Sequence, residues 1–203
     1  MDFLKTNKHQ DFQSWFNEIA LKLFQEYELV VNNAVYDFSE IEFYYHSNDH
    51  KDPYVHKDNM QLTNGQWYFH GSGIDITFGE KTETYGGILI RGIKRVKPSA
   101  QFYSGPLVVA KEIFQQLGNV EFGDHKIGLR KKKVTRDITN DFAQSTRINL
   151  PHKEENKFRN ELYRFITYIQ TEHQFKEKTI VAKNLKSANP QIDIIEKFGY
   201  KIV

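Results

Sequence analysis

The sequence has no cysteine. That excludes disulfides, thiolate zinc sites, iron–sulfur clusters and a cysteine nucleophile. It has no apolar run approaching the ~18 residues of a membrane helix, so no membrane partner is expected. The stretch from Met1 to Phe12 lacks an apolar h-region, so no secretory signal is expected and a cytoplasmic setting fits. An excess of one charge is also missing: 28 Lys and Arg stand against 26 Asp and Glu, a net charge of +2. That balance permits nucleic-acid binding without announcing it. Neither phosphate-loop pattern, G-x-x-x-x-G-K-[ST] or G-x-G-x-x-G, occurs.

What is present is aromatic: 16 Phe, 11 Tyr and 2 Trp in 203 residues. Disordered chains lack such residues, and this length suffices to bury a real core. With no repeat or linker, the expected architecture is one α+β domain. A curved, mostly antiparallel sheet flanked by helices is expected, with residues 172–203 as an extension packed on it.

Asp11 is placed to cap a helix in which Phe12, Trp15, Phe16, Ile19, Ala20, Leu23, Phe24 and Tyr27 recur at three- and four-residue steps. Two β-prone runs around Asn32-Asn33 predict a hairpin. Residues 40–46 alternate, with Ile41, Phe43 and Tyr45 on one face and Glu42, Tyr44 and His46 on the other. A polar loop is expected from Ser47 to Gly65. Strands follow over 66–70, 73–78 and 86–96, separated by turns at Gly71-Ser72-Gly73 and across 79–87. Gly105-Pro106 opens a helix that Gly118 can end. Residues 119–150 read as irregular and basic. Phe158, Leu162, Phe165, Ile166 and Ile169 have helical spacing over 153–171. Residues 178–183 read as a strand, and 189–199 as a short helix.

Several residues invite chemistry. Glu42, bracketed by apolar neighbours, is a candidate general base if its face is closed, or plain surface if the sheet is open there. His46, His50 and His56, with Asp49 and Asp52, offer metal ligands, but their spacing fits no metal motif and polar surface is the simpler reading. Asp75 sits between two Ile on a strand, facing either solvent or a cleft. Gly71-Ser72-Gly73 fits a plain turn better than a ligand-wrapping loop. Arg91, inside an apolar strand, requires an acceptor, either in a buried ion pair or as a substrate clamp. The run Arg130, Lys131, Lys132, Lys133 suits phosphate contacts or a solvated loop.

In order, these pieces resemble the alkyladenine (3-methyladenine, methylpurine) DNA glycosylase family. The Glu-x-Tyr strand is Glu42-Phe43-Tyr44. The D-x-x-x-H loop is Asp52 to His56. The Gly-x-hydrophobic-Tyr-x-aromatic strand runs from Gly65 to His70, and the M-N-I-S-like segment from Ile74 to Thr77. The L-L-R-A-L-like strand runs from Ile88 to Ile93, Ser104-Gly105-Pro106 opens a helix, and Arg147 to Leu150 stands for R-[VI]-G-[VI]. Tyr163 to Ile166 stands for the closing R-F-Y-like element. The resemblance spans about residues 12–166.

It implies a monomeric DNA N-glycosylase that needs no metal or other cofactor. Glu42 would activate water for attack on C1′ of an extruded nucleotide. Tyr44 and His56 would sandwich the base, with His70 and Asp75 beside it and Arg91 on the strand behind. A carboxylate suits an oxocarbenium-like transition state both as base and as counter-charge. Ring stacking offsets the stacking lost on extrusion. The sequence departs from the family where an aromatic wedge belongs: the turn at Gly71-Ser72-Gly73 is short and has no bulky residue. Asp75 also replaces an amide. A non-catalytic protein that binds nucleic acid or a purine nucleotide through the same cleft is the alternative.

Overall fold

A computed structural model describes residues 2–5, 11–80, 82, 84–119, 121, 123–153, 157–169, 172–199 and 201. The chain forms one α+β domain around a curled antiparallel sheet. Helix α1 (Phe12–Glu26) leads into β1 (Tyr27–Val31) and β2 (Ala34–His46). Then come β3 (Asn64–His70), β4 (Gly73–Phe78), β5 (Tyr85–Lys97), β6 (Gln101–Ser104) and α2 (Pro106–Leu117). Strands β7 (Ile127–Lys131), β8 (Phe142–Ser145) and β9 (Arg164–Thr167) precede α3 (Lys178–Ala188) and α4 (Ile194–Phe198). The main strand order is β3-β4-β5-β2-β1-β7; β6 continues from β5, and β9 bridges β2 to β8.

Helix α1 begins where Asp11 accepts the Ser14 N–H at 2.9 Å. That bond satisfies one of the free donors of the first turn. The helix buries its stripe of Trp15, Phe16, Ile19, Ala20, Leu23 and Phe24. The Phe16 ring stacks on Phe43 at 4.7 Å and meets Phe78 and Tyr163 edge-on. Each such side chain contributes ~1.5–3 kcal/mol by leaving water. The hairpin turn between β1 and β2 places Asn32 at φ 50°, a conformation Asn tolerates.

Strand β2 organises the molecule because β1, β5 and β9 all pair with it. Its pairing with β5 runs Phe38↔Ile93, Glu40↔Gly92, Ile41↔Ile90, which skips Ser39 and Arg91. Such irregularities re-aim side chains, and this one brings Arg91 onto Glu40.

Two expected elements differ. Residues 153–171 are not a helix: Phe158 lies in a 3-10 turn over Lys157–Arg159, and Phe165 and Ile166 belong to β9. All four β9 residues are buried, with ladders to β2 on one edge and β8 on the other. Paired on both edges, this segment satisfies its backbone in the sheet, so the helical spacing is coincidental. Residues 178–183 are helical, not a strand. The β-branched run Thr179-Ile180-Val181 is overridden because Val181, Ala182 and Leu185 share one helix face. That face joins Phe175, Ile194 and Phe198 in a second apolar cluster against Ala143, Ile166 and Ile169, so residues 172–199 pack on β8 and β9. Residues 119–150 contain two short strands, β7 and β8. Lys81 and Glu83 of the 79–87 turn, and 154–156, 170 and 171 of the expected helix, lie outside the described residues. No described helix is long and apolar enough to cross a membrane.

Candidate active site

The face of β2 opposite α1 carries Glu40, Glu42 and Tyr44. It is closed: Glu42 is 0% exposed. A buried carboxylate costs several kcal/mol unless its lone pairs are taken up. Oε1 accepts the Ile148 N–H at 2.8 Å. Oε2 accepts the Tyr44 hydroxyl at 2.8 Å and lies 3.4 Å from Arg91 Nη1. Burial raises the Glu42 carboxyl above the ordinary carboxylate range, while Arg91, the Ile148 N–H and the Tyr44 hydroxyl pull it down. Burial and the neighbouring Glu42 push the Tyr44 phenol well up.

Arg91 Nε donates to Glu40 Oε1 at 2.9 Å, and Arg164 Nε donates to the same oxygen at 2.8 Å. Glu40 and Glu42 thus share a connected cluster with Arg91 and Arg164 under the site, and Glu177 lies 3.8 Å from Arg164 Nη1 at its edge. Of the two readings of Arg91, the ion pair is realised, and Arg91 also reaches the wall of the cavity above.

That cavity is about 520 Å³, within the range of small-molecule sites. Tyr44, Tyr54, His56, His70, Asp75 and Arg91 are among its lining residues. His70 and Asp75 form a buried pair, with Nε2 to Oδ1 at 3.0 Å. The Ser72 N–H points at His70 Nδ1 from 3.2 Å, which assigns the ring proton to Nε2 as donor to Asp75. Asp75 therefore faces the cleft side of β4, not solvent. Gly87 of β5 makes room for it: a Cβ there would lie 2.4 Å from Asp75 Oδ2 and 2.8 Å from Gln61 Nε2. Tyr68 stacks on His70 at 4.8 Å and 26°, and exposed His56 meets His70 edge-on at 4.8 Å and 87°.

A second layer holds this wall. Arg147 Nη1 reaches Asp52 Oδ2 at 2.6 Å with both side chains at 0% exposure. Its guanidinium also donates to the carbonyls of Phe43 and Phe158, each at 3.0 Å, and lies 4.6 Å from the Tyr44 ring centroid. Asp52 and Arg147, separate motif landmarks in the sequence, thus meet directly. The next residue, Ile148, then presents its N–H to Glu42. This backbone contact has no side-chain signature in the sequence. Tyr54 lines the cavity as well, with a buried hydroxyl that has no hydrogen-bond partner among the described residues.

Glu42 does not itself line the cavity; it lies behind Tyr44 and Arg91, which corrects the expectation of a carboxylate open to the slot. The basic run does not converge on the cleft either. Arg130 and Lys131 belong to β7, at the far end of the sheet order from β3 and β4. Arg130 pairs with Glu28 at 2.6 Å, Lys131 with Glu26 at 3.8 Å and Lys132 with Asp37 at 2.8 Å. Lys133 is exposed and does not line the cavity. Strand pairing with β1 draws these cations onto the acids of the α1–β2 region.

His50 is a core pillar, with Nδ1 2.8 Å from the Tyr45 carbonyl oxygen and Nε2 2.9 Å from the Tyr163 hydroxyl. No group of three His, Asp or Glu among the described residues could hold a metal ion.

No family model matches the chain. It is similar to an uncharacterized protein, L759, of Acanthamoeba polyphaga mimivirus, at 34% identity over 127 residues. The match covers 51% of this chain and 58% of the viral protein, so the chain spans little more than half the length of this relative. The viral protein's name gives it no activity.

Proposed function

We propose that the chain hydrolyses the N-glycosidic bond of a damaged purine nucleotide held in the cavity, as the resemblance to the methylpurine glycosylases implies. One observation carries the reading: Glu42, paired with Arg91, lies directly behind a cavity walled by Tyr44, His56, His70 and Asp75. The rings offer stacking surfaces to an extruded base, offsetting the stacking it gives up. Arg91 favours the ionised form of Glu42, which a general base requires.

Water oxygen bonds to C1′ as the C1′–N9 bond breaks, and the bonding pair leaves with the base. A purine alkylated at N3 or N7 is cationic, so that pair neutralises the ring and no acid need protonate it, whereas neutral hypoxanthine departs as an anion. The water proton passes to the Tyr44 phenol as Tyr44 gives its own proton to Glu42 Oε2, along a hydrogen bond already in place. The carboxylate charge opposes the oxocarbenium character building at C1′. DNA is the proposed polymer.

The test is single-turnover release of 7-methylguanine, and of hypoxanthine, from DNA by wild type, Glu42→Gln and Tyr44→Phe. Release by wild type should fall in Glu42→Gln by ~10²-fold or more, the scale of a lost acid–base group. Equal release by Glu42→Gln overturns the role. The complete burial of Glu42 favours a second reading, a base-binding protein without turnover. It predicts salt-sensitive oligonucleotide binding that Glu42→Gln keeps, with no base released by wild type.

A further inference from the structure

The glycosylase reading leaves one mechanical part unassigned. An enzyme that draws a base from a duplex must fill the gap, and such proteins insert an apolar side chain into the stack. The turn at Gly71-Ser72-Gly73, which joins β3 to β4, has nothing to insert. The structure shows what occupies the space beside it. A Cβ on Gly73 would lie 2.9 Å from Pro106 Cβ and 3.0 Å from Leu89 Cδ1, and Gly73 has φ +146°. The start of α2 is therefore packed tightly against this turn.

Leu107, the next residue, is 61% exposed and lines the cavity. It also borders an adjoining cavity of about 440 Å³, which shares Arg91, Pro106 and Asn149 with the first. Leu107 thus stands at the lip between two depressions. Its seat is rigid. Proline fixes the backbone before it, the Gly105 N–H donates to the Arg91 carbonyl at 2.7 Å, and Ser104 pairs with Gly92 in the sheet. Apolar exposure continues beside it in Val108, Phe114 and Phe69, the two rings 5.3 Å apart. Lys111, exposed one turn along the same helix face, suits a phosphate flanking an opened step.

We propose that Leu107 is the wedge: it enters the base stack of a duplex as the purine turns into the cavity, replacing from α2 what the short β3–β4 turn cannot supply. This rests on the glycosylase reading, because a wedge has meaning only if a base occupies the cavity. Solvent-facing Leu107 gives the fold little, so its replacement leaves a folded protein to test.

The experiment places 2-aminopurine, whose fluorescence rises on leaving the stack, at one position of an oligonucleotide, as duplex and as single strand. Wild type, Leu107→Ala and Leu107→Phe are titrated with each. A wedge acts only where a stack must be opened. Leu107→Ala should therefore lower the duplex response relative to the single-strand response by about tenfold or more, and Leu107→Phe should restore it. An unchanged ratio in Leu107→Ala overturns the wedge and leaves the Glu42 reading standing. A wild-type protein that brightens the single strand but not the duplex also overturns it. No response by wild type to either strand state sinks the base-cavity reading and the wedge together.

Discussion

Removal of the Asp52 carboxylate is the sharpest test of how the site is held. Asp52→Ala strips Arg147 of its closest partner while the guanidinium stays at 0% exposure, with the Phe43 and Phe158 carbonyls the acceptors left to it among the described residues. An uncompensated buried charge of this kind costs ~3–5 kcal/mol. That is a large share of a total stability of ~5–15 kcal/mol. For a chain of this size the loss corresponds to a Tm drop of roughly 6–20 °C. The assay is urea denaturation followed by fluorescence and circular dichroism, with Asp52→Asn as the uncharged isostere. Because Ile148 follows Arg147 directly, a shift of Arg147 also loosens the N–H held on Glu42. Activity measured well below the melting transition should fall as well. A loss under ~1 kcal/mol, the range of exposed pairs, refutes the claim that this ion pair is buried and anchors the wall.

Three further outcomes follow from the geometry. Burial raises the folded-state Glu42 pKa above its unfolded value, so wild type loses stability as pH rises through the folded value, and Glu42→Gln does not. The variant should therefore gain on wild type in urea midpoint from pH 4 to pH 8, and a gap that stays level or reverses contradicts the stated burial. Gly87→Ala puts a methyl group 2.4 Å from Asp75 Oδ2, and should displace the His70–Asp75 pair and cost ~1–3 kcal/mol as overpacking does; a near-neutral melt with wild-type oligonucleotide affinity counts against that close contact. Arg130→Ala and Lys131→Ala break exposed pairs away from the cleft, so each should cost under ~1 kcal/mol and leave the salt dependence of oligonucleotide binding unchanged; a shallower salt slope would restore the basic run to the binding surface.

Local chemistry made much of this molecule legible from its sequence. The stripe of α1, the Asn32-Asn33 turn, the alternation along 40–46 and the proline-opened α2 depend on spacing and on the backbone habits of Asn and Pro, which act within a few residues. The polar residues later found around the cleft were visible for the same reason: an acid or arginine inside an apolar strand must be answered by a partner. Which partner answers is not local. Only tertiary structure chose Glu40 for Arg91, Asp52 for Arg147, and Glu28, Glu26 and Asp37 for cations that looked free. It turned 164–167 into a strand because two neighbours offered ladders, and wound 178–188 into a helix because an apolar cluster waited. It also closed Tyr44 over Glu42 and set Leu107 at the cavity's lip. Those outcomes depend on groups far apart in the chain competing for the same burial and the same hydrogen bonds, and one-dimensional order carries no record of that competition.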